Sequence, residues 1–244
     1  MIETAINSVE RELRKYISQE DEQRTYIYTK ILSHLINCWI EVRVLTLAYD
    51  HRPFRASNTN DSSTRQWVTA FSSIEINEIL SASTFKEKWI TALNIAICKS
   101  YGVNRNRDIS LHLSFTPRQR YIALKDIINN ELQESYELRN RISHGQWNYA
   151  FTNDLQNISQ EIMPRLRQEN IVDLQLKLKL FKAVAQTVHD LSVSLPTFER
   201  DFDKNFKVIE KQRNNSHNRD YGRYKQQLIA KYQRGLQIRR LSEA

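Results

Sequence analysis

Arg139 and His144 stand five positions apart in the stretch Glu137-Leu138-Arg139-Asn140-Arg141-Ile142-Ser143-His144-Gly145-Gln146-Trp147. An arginine keeps its proton and can hold charge developing on an anionic centre through a two-pronged donor. A histidine titrates near neutrality and can take up or release a proton within one reaction cycle. Asn140, between them, is a candidate to orient an anion or the imidazole. The chain holds a second such spacing, Arg107-Asp108-Ile109-Ser110-Leu111-His112. Spacing alone does not choose between the two, but context does. The first pair closes a long helical pattern and is followed by glycine, whereas the second falls where no helical periodicity is visible. Arg139, Asn140 and His144 are therefore the candidate catalytic residues, with Arg107 and His112 as the competing pair.

Helices must position these groups. The chain has only four glycines and four prolines in 244 residues, too few for the many tight turns of a sheet protein. Apolar periodicity predicts a helix over 3–19 through Ile6, Val9, Leu13 and Ile17. A second, over 22–49, carries the stripe Ile27, Ile31, Leu35, Cys38, Trp39, Val42 and Leu45. Polar 51–65, with Pro53, reads as a loop. Residues 67–100 read as two helical pieces, the second bearing Phe85, Trp89, Leu93 and Ile97. Alternation of Ile109, Leu111 and Leu113 makes 101–115 a loop or a short extended piece. Thr116-Pro117 then signals a helix start, and Tyr121, Leu124, Ile128, Leu132 and Leu138 carry that helix to His144. Gly145 suits a left-handed cap. Residues 146–163 read as mixed, with Pro164 limiting any helix there. Asn170 caps a helix to about Ser194 that Pro196 ends, the helical spacing of Leu174, Leu178, Phe181, Ala185 and Val188 outweighing a strand-like alternation. A short helix through Phe206, a polar break at 214–218 and a basic helix over 219–240 complete the chain.

On an ideal helix Arg139 and His144 point about 140° apart, so they converge within one chain only if the helix frays at His144. Asn140 and His144 share a face.

Net charge is +8, and its location matters. Lys204 to Arg240 holds eleven Lys or Arg against Glu210 and Asp220, so the remainder of the chain is close to neutral. Arg219, Arg223, Lys225, Lys231 and Arg234, with Tyr221, Tyr224 and Tyr232 between them, are candidate RNA contacts through phosphate pairing and base stacking. Cys38 and Cys98 lie in apolar helical stretches without partners at metal-ligand spacing and read as free thiols of a reducing compartment. No cofactor and no metal site are expected. The N-terminal residues lack the basic and apolar regions of a secretory leader, and no stretch approaches about 18 apolar residues, so a cytoplasmic protein without membrane contact is expected.

The Arg-Asn-x-x-x-His pattern ending in His144-Gly145 resembles that of the HEPN (higher eukaryotes and prokaryotes nucleotide-binding) superfamily. The resemblance implies an all-α, HEPN-like helical bundle with a long motif-bearing helix. That domain would span 1–200, with a basic helical C-terminal extension over 201–244. It further implies a metal-independent endoribonuclease in which two protomers of a homodimer bring their motifs together around one phosphate. The 2′-hydroxyl would attack the neighbouring phosphorus, leaving a 2′,3′-cyclic phosphate and a 5′-hydroxyl. Such proteins serve as toxins or antiphage-defence effectors, which implies RNA as substrate and an antitoxin or regulatory protein as partner. One subfamily extends its motif to His-x-Tyr; here Gln146-Trp147 follows, and that mode of inhibition is not implied. The alternative is a non-catalytic HEPN-like module that binds RNA or a partner through the same surfaces. His34 and His189, within apolar helical neighbourhoods, read as satisfied interior residues. The acidic segment Pro196–Asp203 reads as a helix start.

Overall fold

The computed structural model describes residues 1–54, 66–105 and 108–242. Among these the protein is all-α, with ten helices and one two-stranded hairpin. In order these are α1 (Ile2–Ser18), α2 (Glu22–Ala48), β1 (His51–Phe54), β2 (Gln66–Thr69), α3 (Ser73–Ser81), α4 (Phe85–Tyr101) and α5 (Ile109–His112). There follow α6 (Phe115–Ser143), α7 (Ile162–Gln168), α8 (Ile171–Val193), α9 (Leu195–Asn218) and α10 (Tyr221–Ser242).

The chain forms two compact units. The first gathers 1–39, 137–179 and 211–244; the second gathers 40–136 and 180–210. Position 200/201, expected as the border of the basic extension, falls inside α9.

In the first unit, α1 buries Ile6, Leu13 and Ile17, and Trp39 Nε1 donates to Glu3 Oε1 at 2.9 Å. Leu138, Ile142, Ala150, Ile162, Met163 and Leu166 form a buried cluster against which Trp147 packs. Pro164 goes with the absence of helix over 146–161, since α7 begins only at Ile162. It occupies the first turn of α7, where its missing N–H has no intrahelical partner to lose.

In the second unit, Trp89 is fully buried and donates to the Ile40 carbonyl at 3.2 Å. The Tyr121 hydroxyl reaches Asn94 Oδ1 at 2.9 Å. Phe198, Phe202 and Phe206 pack ring to ring along α9, with the Arg120 guanidinium 4.9 Å from the centre of the Phe202 ring. His189 Nδ1 bonds Asp50 Oδ2 at 2.6 Å, as expected for a satisfied interior histidine.

Several sequence expectations shift. Residues 51–54, expected as loop, and 67–69, expected as helix, are strand instead: β1 and β2 form an antiparallel ladder from His51↔Thr69 to Phe54↔Gln66. The alternating segment before α6 contains one helical turn, α5, because the Asp108 carboxylate accepts the Ser110 N–H and caps it. α8 ends at Val193, just before Pro196 as expected, but the helix that follows, α9, is not a short one through Phe206. Pro196 sits in its first turn and the helix runs 24 residues, through the polar 214–218 stretch.

The expected stripe of α2 is also displaced. Of the expected stripe Trp39 is buried, but the other buried positions are Leu32, Ile36, Ile40, Val44, Leu47 and Ala48, with polar Thr29, Lys30, Ser33 and Asn37, whereas Val42 is 45% exposed. α2 is apolar on most sides, so its pattern does not point to one face. By length and composition it is apolar enough to cross a membrane, contrary to the sequence reading. Half of that window is buried within the fold.

α3 and α4 both begin with reciprocal capping boxes, Ser72 with Glu75 and Thr84 with Glu87. Burial pushes the Glu75 carboxyl up, but Lys99 Nζ at 2.8 Å and the Ser72 backbone together hold it below its ordinary value of 4.5. A carboxylate with a lowered pKa adds stability that is complete above the ordinary value and is lost as pH falls through the folded one. Glu75→Gln is therefore expected to destabilise at pH 7, with the gap to wild type closing in acid. Urea unfolding at several pH values checks this, and a pH-independent gap would count against it.

Candidate functional site

α6 ends without fraying. The His144 N–H donates to the Asn140 carbonyl at 3.1 Å, so helical register persists to His144. The Gly145 N–H then bonds the Ile142 carbonyl at 3.1 Å and the Gln146 N–H bonds the Arg141 carbonyl at 2.9 Å. With Gly145 at φ +74°, this is the paired-bond Schellman termination. His144 is the capping residue and is exposed.

Nothing lies within 4 Å of where a Cβ on Gly145 would sit, so the glycine is required by its backbone angle and not by space. Gly145→Ala is expected to cost about 1 kcal/mol of stability. Chemical denaturation measures it, and an unchanged midpoint would mean that the left-handed cap is not held.

Two bonds fasten this helix end to α2. Ser143 Oγ lies 3.3 Å from His34 Nδ1, and the Tyr26 hydroxyl donates to the Trp147 carbonyl. Trp147 Nε1 returns to the Ile142 carbonyl at 2.9 Å, and Gln146 Oε1 accepts the Phe151 N–H at 2.8 Å. Trp147 thus serves the core, while Tyr149 is 53% exposed.

The structure brings together some of the candidate residues. Arg139 Nη1 donates to Asn140 Oδ1 at 3.2 Å. Asn140 meets His144 through the backbone bond one turn on. The Arg139 and His144 side chains, on a helix that stays regular between them, leave its axis about 140° apart. Of the competing pair, His112 ends α5 and is exposed; Arg107 lies outside the described residues.

Sequence reasoning missed a polar stripe on α2. Tyr26, Lys30, His34 and Cys38 recur every fourth residue and so share one face. His34 Nε2 lies 3.4 Å from Cys38 Sγ. Lys30, fully buried, donates to the Leu166 carbonyl and lies 3.6 Å from Glu169 Oε2. Glu169 Oε1 accepts the Ser33 hydroxyl at 2.8 Å. Burial pushes the Lys30 pKa down, against the attraction of Glu169. The i, i+4 repetition of polar residues in an otherwise apolar helix was the available signal.

The basic tail is helix α10. Lys225 is spent on an ion pair with Glu22, while Arg219, Arg223, Lys231 and Arg234 are exposed. Tyr221 and Tyr224 are partly covered, and burial raises the pKa of both. Among the described residues no group of three or more His, Cys, Asp or Glu side chains is placed to hold a metal ion.

No protein family, curated protein or solved structure matches this chain.

Proposed function

We propose that the chain is a HEPN-type endoribonuclease acting as a homodimer, with Arg139, Asn140 and His144 of both copies around one scissile phosphate. The observation that supports this reading is the cap itself. His144 is solvent-exposed, stands at a capped helix end, and on a regular helix leaves the axis about 140° from the Arg139 of its own chain. A second copy related by a two-fold axis supplies the convergence that one helix cannot.

In that arrangement one His144 takes the 2′-hydroxyl proton as the 2′-oxygen attacks phosphorus. The Arg139 fork holds the charge growing on the non-bridging oxygens. As the bond to the 5′-oxygen breaks, the second copy's His144 gives that oxygen a proton. The 2′-hydroxyl required for attack distinguishes RNA from DNA. A toxin or antiphage-defence role, with a protein partner restraining activity, belongs to the same proposal.

End-group analysis of labelled RNA incubated with the protein in EDTA is the test. Fragments ending in 2′,3′-cyclic phosphate and beginning with 5′-hydroxyl are expected. Intact RNA, or fragments with 5′-phosphates, would refute the proposal.

A further inference from the structure

A groove of about 360 Å³ opens between α1 and α10. Four cations line it, Arg14 and Lys15 from α1 and Lys231 and Arg239 from α10, and no carboxylate is among its lining residues. Glu10 engages Arg14 at 3.1 Å and Glu12 engages Lys15 at 3.7 Å from along α1. Lys231 and Arg239 are exposed. The walls between the cations are apolar, with Leu236 beside the Tyr232 ring. Gln19 Nε2 donates to the Tyr232 hydroxyl at 3.5 Å and ties it to the end of α1.

Gly235 also lines the groove, and a Cβ there would meet nothing within 4 Å. A glycine in a helix interior sacrifices helix propensity, and here it does so where the groove opens.

We propose that this groove seats one unpaired nucleotide of single-stranded nucleic acid. The base lies against Tyr232 and the leucine wall, and its flanking phosphates meet Lys231 and Arg239. Cavities of a few hundred Å³ suit a ligand of that size. An aromatic platform beside cations is how single strands are held without sequence readout. An acidic peptide offers no flat apolar face to fill the walls. A membrane surface does not enter a groove, and a duplex keeps its bases stacked inside. Lys231, Tyr232 and Arg239 are thereby the strand contacts of this groove, and Lys225, paired with Glu22, is not among them.

Fluorescence anisotropy of the full chain with a fluorescein-labelled 2′-deoxy single strand tests this. Without a 2′-hydroxyl the probe cannot be cleaved by the proposed reaction. Gly235→Trp, which fills the groove without changing charge, is expected to weaken binding at least tenfold. Gly235→Ala, which restores helix propensity and leaves most of the groove open, is expected to bind as wild type. Lys231→Gln with Arg239→Gln should also weaken binding, and should lower the slope of log affinity against log salt by about 1.4. Equal binding by Gly235→Trp and wild type would overturn the proposal. So would preference for a duplex, polyglutamate or anionic phosphatidylglycerol vesicles over the single strand. His144→Ala should bind the probe as wild type does. The two proposals therefore fail separately, this one on binding and the catalytic one on cleavage.

Discussion

His144→Ala is expected to abolish RNA cleavage, with a loss of about 10²–10⁴-fold for each proton transfer it serves. The variant should fold normally, because the side chain is exposed and its N–H, not its imidazole, completes the helix. Arg139→Ala is expected to lose about 10²–10³-fold through the unsupported phosphorane charge, while His112→Ala stays active. The sharper result comes from mixing. In the composite site one His144 takes a proton and the other gives one, so a mixed dimer of wild-type and His144→Ala chains lacks one of the two transfers. Excess His144→Ala chain added to wild type should therefore suppress cleavage. If each chain carried its own complete site, the wild-type chains would keep cleaving, and the two-fold arrangement would fall. Loss of cleavage only in His112→Ala would transfer the site to the competing pair.

Lys30→Ala is expected to be the most destabilising single change in the first unit, at about 3–5 kcal/mol. Lys30 is fully buried and Glu169 nearly so, so removing the ammonium leaves a carboxylate without its counter-charge in a region of low polarity. Glu169→Ala should cost a similar amount for the converse reason. Replacing both, as Lys30→Met with Glu169→Leu, should recover most of the loss, since a well-packed apolar pair needs no desolvation of ions. Urea unfolding of the two single variants and the double variant measures the coupling. Additive losses in the double variant would show that the two residues do not act as a pair. A direction with pH follows as well. Burial lowers the Lys30 pKa below 10.5, so the unfolded chain holds the proton more tightly. Stability should then rise as pH climbs through the folded value towards 10.5.

Much of the helical plan was legible in the sequence. Gly145 marked the end of α6 because a left-handed residue there is cheap only for glycine, and the structure places it at φ +74°. Asn170 marked the start of α8, and its Oδ1 accepts the N–H groups of Val172 and Asp173. These signals are local: a side chain satisfying its own backbone, or a backbone angle with one suitable residue. Pro196 marked the end of α8, which stops at Val193, because a proline inside a helix costs a hydrogen bond. Both Pro196 and Pro164 also sit in the first turn of the helix that follows, where that cost vanishes. α2, by contrast, misled. Where nearly every side is apolar, periodicity cannot say which face meets the interior, so the expected stripe differs from the buried one.

The sequence by itself determined the class of the protein, the long helix bearing Arg139, Asn140 and His144, and the concentration of positive charge towards the C-terminus. Each follows from local propensity or from composition, which do not depend on distant contacts. Tertiary structure alone decided that Lys30 meets Glu169 across 139 positions, and that His34 meets Ser143 across 109. It also decided that α10 lies against α1 to form a cation-rimmed groove. Those pairings depend on which faces of the helices meet, and a helix several turns long offers many faces of similar hydrophobicity. Only the packing of the whole chain, which must bury its apolar surface while leaving each interior charge a partner, selects among them.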